Sequence, residues 1–417
     1  MASQERKIKN NKHLNLKNSN ILGSKKLSPE SIFLYFVIFS PYLELLFWDQ
    51  RAVLHLFILI LMFLYLVIRS FPFNSKSGSR IVVTVAFGLY FLMLATINLV
   101  KSEPVHRSTW SIAIIAAFFL SSLKSIRLND TFFWIYLRHL KLALKVTLVL
   151  HVLIFVLSID TYSRLSALEV NPIPIFALSA AISFFTRDGL LVFATIIAVF
   201  ANYGFNPQNS HIFILIAFLI SFLSFRLKPR IGFSIVCTAI LCYFFANRSL
   251  FESFLLLASS FETENIIIRQ NMSLFAQQVI SQNPFVGGHL SEPLNLLIKR
   301  GSFTSVLPFH SDVLTFLVAG GGIGLFLFLA NCLLAFYRTP SSRPQDVLIK
   351  SSNIALACSL LVGLFNPLFP GFALLMCLTL SFQPGADLSF ARKGAPTSDV
   401  PHITGGLSEP SGTNKFF

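Results

Sequence analysis

His310, Ser311 and Asp312 stand directly in front of an apolar run that carries three consecutive glycines, Gly320 to Gly322. A neutral imidazole accepts a proton near physiological pH, and partial removal from water favours that neutral form. His310 is therefore a candidate general base. The glycines remove side-chain bulk, which would let a neighbouring helix or a lipid-like ligand approach the backbone closely.

Asp312 has a structural interpretation beside a functional one. An acidic residue in the first turn of a helix caps it and complements the helix dipole. Positions 310 and 312 do not share a helix face, so the spacing does not imply a catalytic His–Asp pair. Asp312 is a candidate for a helix-start or orienting role. For His310 the structural alternative is an ordinary interfacial histidine before a glycine-rich helix.

The composition determines what kind of element must position these residues. Hydrophobic residues make up 54% of the chain and charged residues only 12%. This is too apolar for a soluble protein of 417 residues. The sequence therefore predicts an all-α fold, a polytopic helical membrane protein.

Apolar runs long enough to cross a bilayer, about 18 to 20 residues, recur along the chain. A polar run beginning at Thr186 separates two shorter segments, which we interpret as a tight helical hairpin. Asn366-Pro367 and Pro370 divide the last long run into two helices. The result is about twelve transmembrane helices, at 31–48, 52–68, 81–100, 109–123, 142–158, 173–185, 189–203, 210–225, 231–246, 311–337 and the two halves of 351–382.

The basic residues predict the orientation, because positively charged loops stay on the cytoplasmic side. Alternating the sides from a lysine-rich N-terminal tail places both termini in the cytoplasm. The net charge of +15 then follows from topology and needs no nucleic-acid partner. Only eight of the 33 Lys and Arg residues fall outside: Arg51, Lys101, Arg107, Arg164, Arg248, Arg269, Lys299 and Arg300.

The extracytoplasmic side is uneven, since one long loop stands among short ones. This loop ends just before His310, which places that residue at the outer membrane interface. The predicted organisation is a basic cytoplasmic tail (1–30), transmembrane helices 1–9 (31–246), the long extracytoplasmic loop (247–309), transmembrane helices 10–12 (310–382) and a disordered cytoplasmic tail (383–417).

No cofactor or metal is predicted. The sequence has no glycine-rich phosphate loop, no serine nucleophile elbow and no acidic cluster suited to a divalent ion. The cysteines lie inside apolar spans without metal-ligand spacing, so we interpret them as small core residues. They are Cys237, Cys242, Cys332, Cys358 and Cys377.

Three blocks of sequence, in order, resemble the O-antigen ligase and polysaccharide polymerase superfamily. They are YSRLSALEVNPIPIFALSAA around Arg164, RQNMSLFAQQVISQNPFVGGHL from Arg269, and His310-Ser311-Asp312 followed by Leu314, Gly321 and Gly324. The resemblance covers about residues 160–336. Two positions depart from the family pattern: Ala319 replaces a usual glutamate, and Asn209-Ser210-His211 is the nearest match to a usual Ser-Arg pair.

The resemblance implies a metal-independent glycosyltransferase of the bacterial cytoplasmic (inner) membrane. Such an enzyme transfers a polyprenyl-diphosphate-linked oligosaccharide to a sugar hydroxyl at the outer face, beside other polysaccharide assembly proteins. His310 would be the base, and Arg269 and Arg164 would bind the diphosphate through paired guanidinium donors. The His-Ser-Asp sequence favours a polymerase, with a ligase that attaches glycan to a lipid A core as the alternative.

Other interpretations remain open for these and neighbouring residues. Arg269 lies on an amphipathic segment and could face lipid headgroups, as could Arg164. A transporter or flippase for a lipid-linked sugar is the rival from another class, although the paired midplane charges and internal repeat it predicts are not found. Weaker outer candidates are Glu44, His289, Lys299 and Arg300, whereas Arg138, Lys141 and Lys145 are interpreted as cytoplasmic anchors and His151 as a packing residue.

Overall fold

The computed structural model describes residues 78–100, 130–157, 172–205, 211–245, 276–287, 295–300, 303–308, 311–336 and 343–364. Most of these residues are helical, which confirms the helical fold in this part of the chain. The helices are α1 (Gly78–Val100), α2 (Asp130–Leu157), α3 (Ile173–Thr186), α4 (Gly189–Phe205), α5 (His211–Leu223), α6 (Pro229–Phe245), α7 (Asp312–Phe336) and α8 (Arg343–Gly363). Residues 276–282 are also helical.

The sequence did not predict strands, but two short ones are present within the long loop. Strands β1 (Asn295–Arg300) and β2 (Phe303–Pro308) pair antiparallel, with Arg300 opposite Phe303. The hairpin ends four residues before α7 begins. Alternation of polar and apolar residues is weak in NLLIKR, so this segment lacks the period-two pattern that predicts a strand.

Two helices in the described part of the chain are long and apolar enough to cross a membrane, judged by length and composition. These stretches are Phe316–Leu334 within α7 and Asp346–Gly363 within α8. Helices α3 to α6 contain shorter apolar stretches. The predicted spans at 31–48, 52–68 and 109–123 and the second helix within 351–382 lie outside the described residues, so the total of about twelve crossings stays a prediction.

Contacts at two levels show that α2 and α4 run parallel. At one level, Lys141 and Lys145 of α2 bind Asp188, which immediately precedes α4. Further along both helices, the side chains of His151 and Asn202 are 3.2 Å apart. The intervening α3 returns in the opposite direction and ends at Arg187, whose left-handed conformation (φ 54°) turns the chain into α4. Successive membrane crossings require this alternation of direction.

Helix α8 forms the centre of the described core. Residues 351–364 are buried without exception, and α8 packs against α2, α3, α5 and α6. A helix that is buried on every side needs apolar residues all round, and residues 351–363 of α8 supply them apart from Ser351, Ser352, Asn353 and Ser359. Gly232 of α6 allows close packing here, because a Cβ at this position would lie 3.2 Å from the Ala357 Cβ.

Candidate functional site

Helix α7, which follows His310, is broken at one of its glycines. Gly321 has φ 59° and ψ −162°, whereas the residues on either side are helical. This backbone region is accessible almost only to glycine. The break lies nine residues after Asp312, about 13 Å along the helix axis. In the sequence, three consecutive glycines indicated close packing, but a break was not predicted.

A tight turn from the long loop, residues 283–287, occupies the gap that the break opens. The Gly322 N–H donates to the Pro284 carbonyl at 2.9 Å, and the Ile323 N–H donates to the Phe285 carbonyl at 3.2 Å. In an unbroken helix these N–H groups would donate to carbonyls four residues earlier. The turn therefore replaces two internal helix bonds with two bonds between distant parts of the chain.

Two glycines with positive φ make this contact possible. Gly287, at φ 68°, closes the turn by donating from its N–H to the Asn283 carbonyl at 2.8 Å. A Cβ on Gly287 would stand 2.6 Å from the Gly321 nitrogen, and a Cβ on Gly321 would stand 2.4 Å from the Phe285 carbonyl carbon. These distances are shorter than any real Cβ contact, and the obstructing atoms are backbone. The turn and the helix can therefore pack this closely only if positions 287 and 321 are both glycine.

Helix α1 contacts the other side of the break. Gly320 and Gly324 face α1, because a Cβ on either would lie 3.0 Å from the Phe91 ring. The Tyr90 hydroxyl donates to the Gly320 carbonyl at 2.7 Å and lies 3.5 Å from the Phe285 carbonyl oxygen. The expectation that a neighbouring helix approaches these glycines is therefore correct. Gly320 and Gly324 contact α1, whereas Gly321 contacts the 283–287 turn.

Ser311 caps the beginning of α7. The Leu314 N–H donates to the Ser311 hydroxyl oxygen at 3.5 Å, and the Ser311 side chain is buried. Asp312 is the first helical residue, which agrees with its expected place at the helix start. The capping side chain that the structure identifies is Ser311, so the orienting role of Asp312 stays a prediction.

The three charged or titratable residues expected to carry the chemistry, His310, Arg269 and Arg164, lie outside the described residues. For two of these residues, Arg269 and His310, the structure describes a segment that comes later in the chain. Residues 276–287 follow Arg269, and α7 follows His310 by two positions. The backbone hydrogen bonds of the 283–287 turn join these two segments.

The secondary candidates are distributed along the chain. Lys299 and Arg300 are the last residues of β1, at the tip of the hairpin. His289 and Glu44 lie outside the described residues. His151 is buried, with its ring edge-on to Phe176 and 3.2 Å from the Asn202 amide nitrogen. This agrees with its expected packing role.

The predicted cationic stripe on α2 has a partner that the sequence did not reveal. Lys141 and Lys145 lie 2.8 and 3.0 Å from the two carboxylate oxygens of Asp188. The same carboxylate accepts the Leu191 N–H at 3.2 Å and so caps α4. Burial raises the pKa of Asp188, but the hydrogen bonds from both lysines and from Leu191 outweigh it and lower the pKa from 3.8 to about 2. This cluster ties α2 to the α3–α4 hairpin.

Replacing Asp188 by asparagine is expected to destabilise the protein by about 1–2 kcal/mol, since it removes a charged hydrogen-bond acceptor from two ammonium groups. Because the folded pKa is lowered, the contribution is complete above the ordinary carboxyl pKa near 3.8 and is lost as the pH falls toward about 2. Thermal unfolding of wild type and Asp188→Asn at several pH values measures this. The difference should be full at pH 6 and should be lost completely only as the pH falls below about 2.

Asp346→Asn is the matched control. Its carboxylate pairs with Lys350 one helical turn away at 2.8 Å, and both side chains are substantially exposed. Such a pair contributes about 0.3–0.5 kcal/mol. Equal effects of the two substitutions would contradict a structural role for the Asp188 cluster.

Sequence inspection missed Tyr90 and the joining of 283–287 to α7. The available signal was a pair of glycine-rich motifs, NPFVGG and AGGGIG, each of which provides backbone without side-chain bulk. Nothing in either motif shows that the two touch. Among the described residues no group of three His, Cys, Asp or Glu side chains is arranged to hold a metal ion.

Comparisons with known proteins identify no relative. No family model, no curated protein and no solved structure matches the chain.

Proposed function

We propose that this chain is a membrane glycosyltransferase of the O-antigen ligase and polymerase type. It would span the cytoplasmic membrane of a bacterium about twelve times, with both termini inside. It would act at the outer face as a surface polysaccharide polymerase. The donor is an oligosaccharide on a polyprenyl diphosphate, and the acceptor is a sugar hydroxyl of a second lipid-linked glycan.

The observation that carries the proposal is the junction of the 283–287 turn with the break in α7. The turn follows the segment that contains Arg269, and α7 follows His310. Two backbone hydrogen bonds and a glycine-on-glycine contact fix these two segments against each other. A transferase that must hold a base and a cation around one glycosidic bond needs such a fixed relation between loop and helix.

The proposed reaction is a displacement at the anomeric carbon. His310 takes the proton of the acceptor hydroxyl as its oxygen attacks, and the bond between the anomeric carbon and the diphosphate oxygen breaks. Arg269 and Arg164 bind the departing diphosphate, whose charge increases as that bond lengthens. The products are a longer glycan and a free polyprenyl diphosphate. No nucleotide or metal ion enters the balance.

Exposed apolar side chains next to the junction suit a lipid carrier. Phe285 of the turn is 70% exposed, and Ile323 and Phe326, one helical turn apart on α7, are 40% and 69% exposed. The Phe285 carbonyl accepts the Ile323 N–H, so these exposed side chains belong to two backbone segments that lie side by side and together present an apolar surface. An isoprenoid chain could lie along this surface while its diphosphate remains at the interface.

A transporter is the second candidate, because a helix interrupted within an apolar span is typical of transporters. In those proteins the freed N–H groups at the break bind the substrate. Here the N–H groups of Gly322 and Ile323 already donate to the turn. The break is therefore satisfied by protein, which favours the transferase.

A surface-glycan gel from a strain that lacks the gene tests the proposal. Loss of a polymerase leaves single-repeat caps on the lipid A core. Loss of a ligase leaves bare core and accumulates lipid-linked polymer. A normal glycan ladder would exclude both enzymes.

Arg269→Lys tests the binding of the diphosphate by a guanidinium. Lysine keeps the charge but loses the paired donors, so we expect glycan transfer to fall about tenfold or more. Transfer in membranes that contain equal amounts of each variant measures this. Wild-type activity would instead indicate that Arg269 only faces lipid headgroups.

A further inference from the structure

Tyr90 connects three parts of the chain at the break in α7. It belongs to α1, its hydroxyl donates to the Gly320 carbonyl at 2.7 Å, and it lies 3.5 Å from the Phe285 carbonyl oxygen. Gly320 is the last residue before the break, and Phe285 belongs to the turn that occupies the gap. The hydroxyl is therefore within hydrogen-bond distance of the backbone of both segments.

The Tyr90 hydroxyl hydrogen-bonds to backbone at the break. A helix interruption in an apolar environment leaves carbonyl groups without helical partners, and irregular backbone persists there only when protein groups satisfy it. The turn accepts from the N–H groups of Gly322 and Ile323 after the break. The Tyr90 hydroxyl donates to the carbonyl of Gly320, the last residue before the break, from outside both segments.

The aromatic ring of Tyr90 has a separate role from the hydroxyl. It packs edge-on to Phe91 with ring centroids 5.4 Å apart, and Phe91 in turn packs edge-on to Phe316 of α7 at 6.3 Å. The first contact lies within α1, and the Phe91–Phe316 contact joins α1 to α7 without any hydrogen bond. Removal of the oxygen alone therefore leaves the helix packing in place.

We propose that Tyr90 is a positioning residue for the glycan transfer. Its hydroxyl holds the first half of α7 and the 283–287 turn in one register, and thereby fixes the segment after Arg269 relative to the helix that follows His310. This role rests on the proposed function. Tyr90 itself takes no part in the chemistry.

Tyr90→Phe tests the role by separating rate from binding. A small misplacement of catalytic groups lowers the rate strongly, so we expect kcat for transfer to fall about tenfold to a hundredfold while KM for the lipid-linked donor stays within about twofold. Hydrogen exchange should be faster in peptides that contain Gly322 and Ile323, because the bonds to the turn open more often. Both measurements use the full chain in membranes or detergent.

Tyr136→Phe is the matched control, since Tyr136 is a buried tyrosine on a different helix, α2. Unchanged kcat in Tyr90→Phe would overturn the positioning role. So would a loss of kcat that only follows a lowered thermal midpoint to the same extent as in Tyr136→Phe. If wild type itself catalyses no transfer, the proposed function is wrong. Faster hydrogen exchange in Tyr90→Phe would then show only that the Tyr90 hydroxyl stabilises the contact between the turn and α7.

Discussion

Replacing Gly321 by alanine is expected to cause a large loss of stability. The glycine has φ 59° and ψ −162°, where a Cβ costs about 1–3 kcal/mol in backbone strain. That Cβ would also stand 2.4 Å from the Phe285 carbonyl oxygen, so the turn must move and lose its two bonds, at about 1 kcal/mol each. We expect a total of about 3–5 kcal/mol, measured by thermal unfolding in detergent.

Gly189→Ala is the matched control for Gly321→Ala. Gly189 begins α4, and a Cβ there meets nothing within 4 Å. Alanine is a better helix former than glycine, so this variant should be as stable as wild type or slightly more stable. If Gly321→Ala and Gly189→Ala had equal thermal midpoints, the glycine-on-glycine contact could not be a structural requirement.

His310→Ala is expected to have the largest effect on activity. Removal of a general base lowers a rate by about 10²–10⁴-fold, which in a surface-glycan gel would remove the ladder of polymer bands. The stability should change little, because the Ser311 hydroxyl accepts the Leu314 N–H at the start of α7 and remains in this variant. The measurement is transfer per unit of inserted protein, quantified by immunoblot of the membrane fraction.

His139→Ala is the control for loss of a histidine. His139 lies on α2, two residues before Lys141, on the side of the protein that carries the Asp188 cluster. Its loss should leave the glycan ladder intact. Full transfer by His310→Ala would exclude that residue as the base, and equal losses in both variants would point to a general effect on folding.

Much of the helical architecture could be predicted from apolar runs, because burial or lipid contact imposes one continuous pattern on each helix. The α3–α4 hairpin was predicted from a short polar run that begins at Thr186. The full lengths of α2 and α8 could not be predicted from apolar runs, because both helices begin with segments that contain charged residues, at Asp130 and Arg343. Helical hydrogen bonding continues past the apolar segment where charged side chains can be solvated or paired, as Lys141 and Lys145 are.

The geometry of the candidate site could not be predicted, for a different reason. It depends on backbone atoms of two glycine-rich segments that are about 35 positions apart, and on one hydroxyl from α1. A glycine in the sequence indicates that the backbone there can adopt unusual conformations, but it does not indicate which segment will contact it. The sequence therefore indicated which segments were special, whereas the contact between the turn and α7, and the part played by Tyr90, required the three-dimensional structure.

The most direct test of the central claim is transfer by membranes that contain this chain, supplied with an oligosaccharide on polyprenyl diphosphate. The proposed function predicts a longer glycan together with an equal amount of free polyprenyl diphosphate, and neither product with His310→Ala. Folded wild-type chain that releases no polyprenyl diphosphate and forms no new glycosidic bond would contradict it.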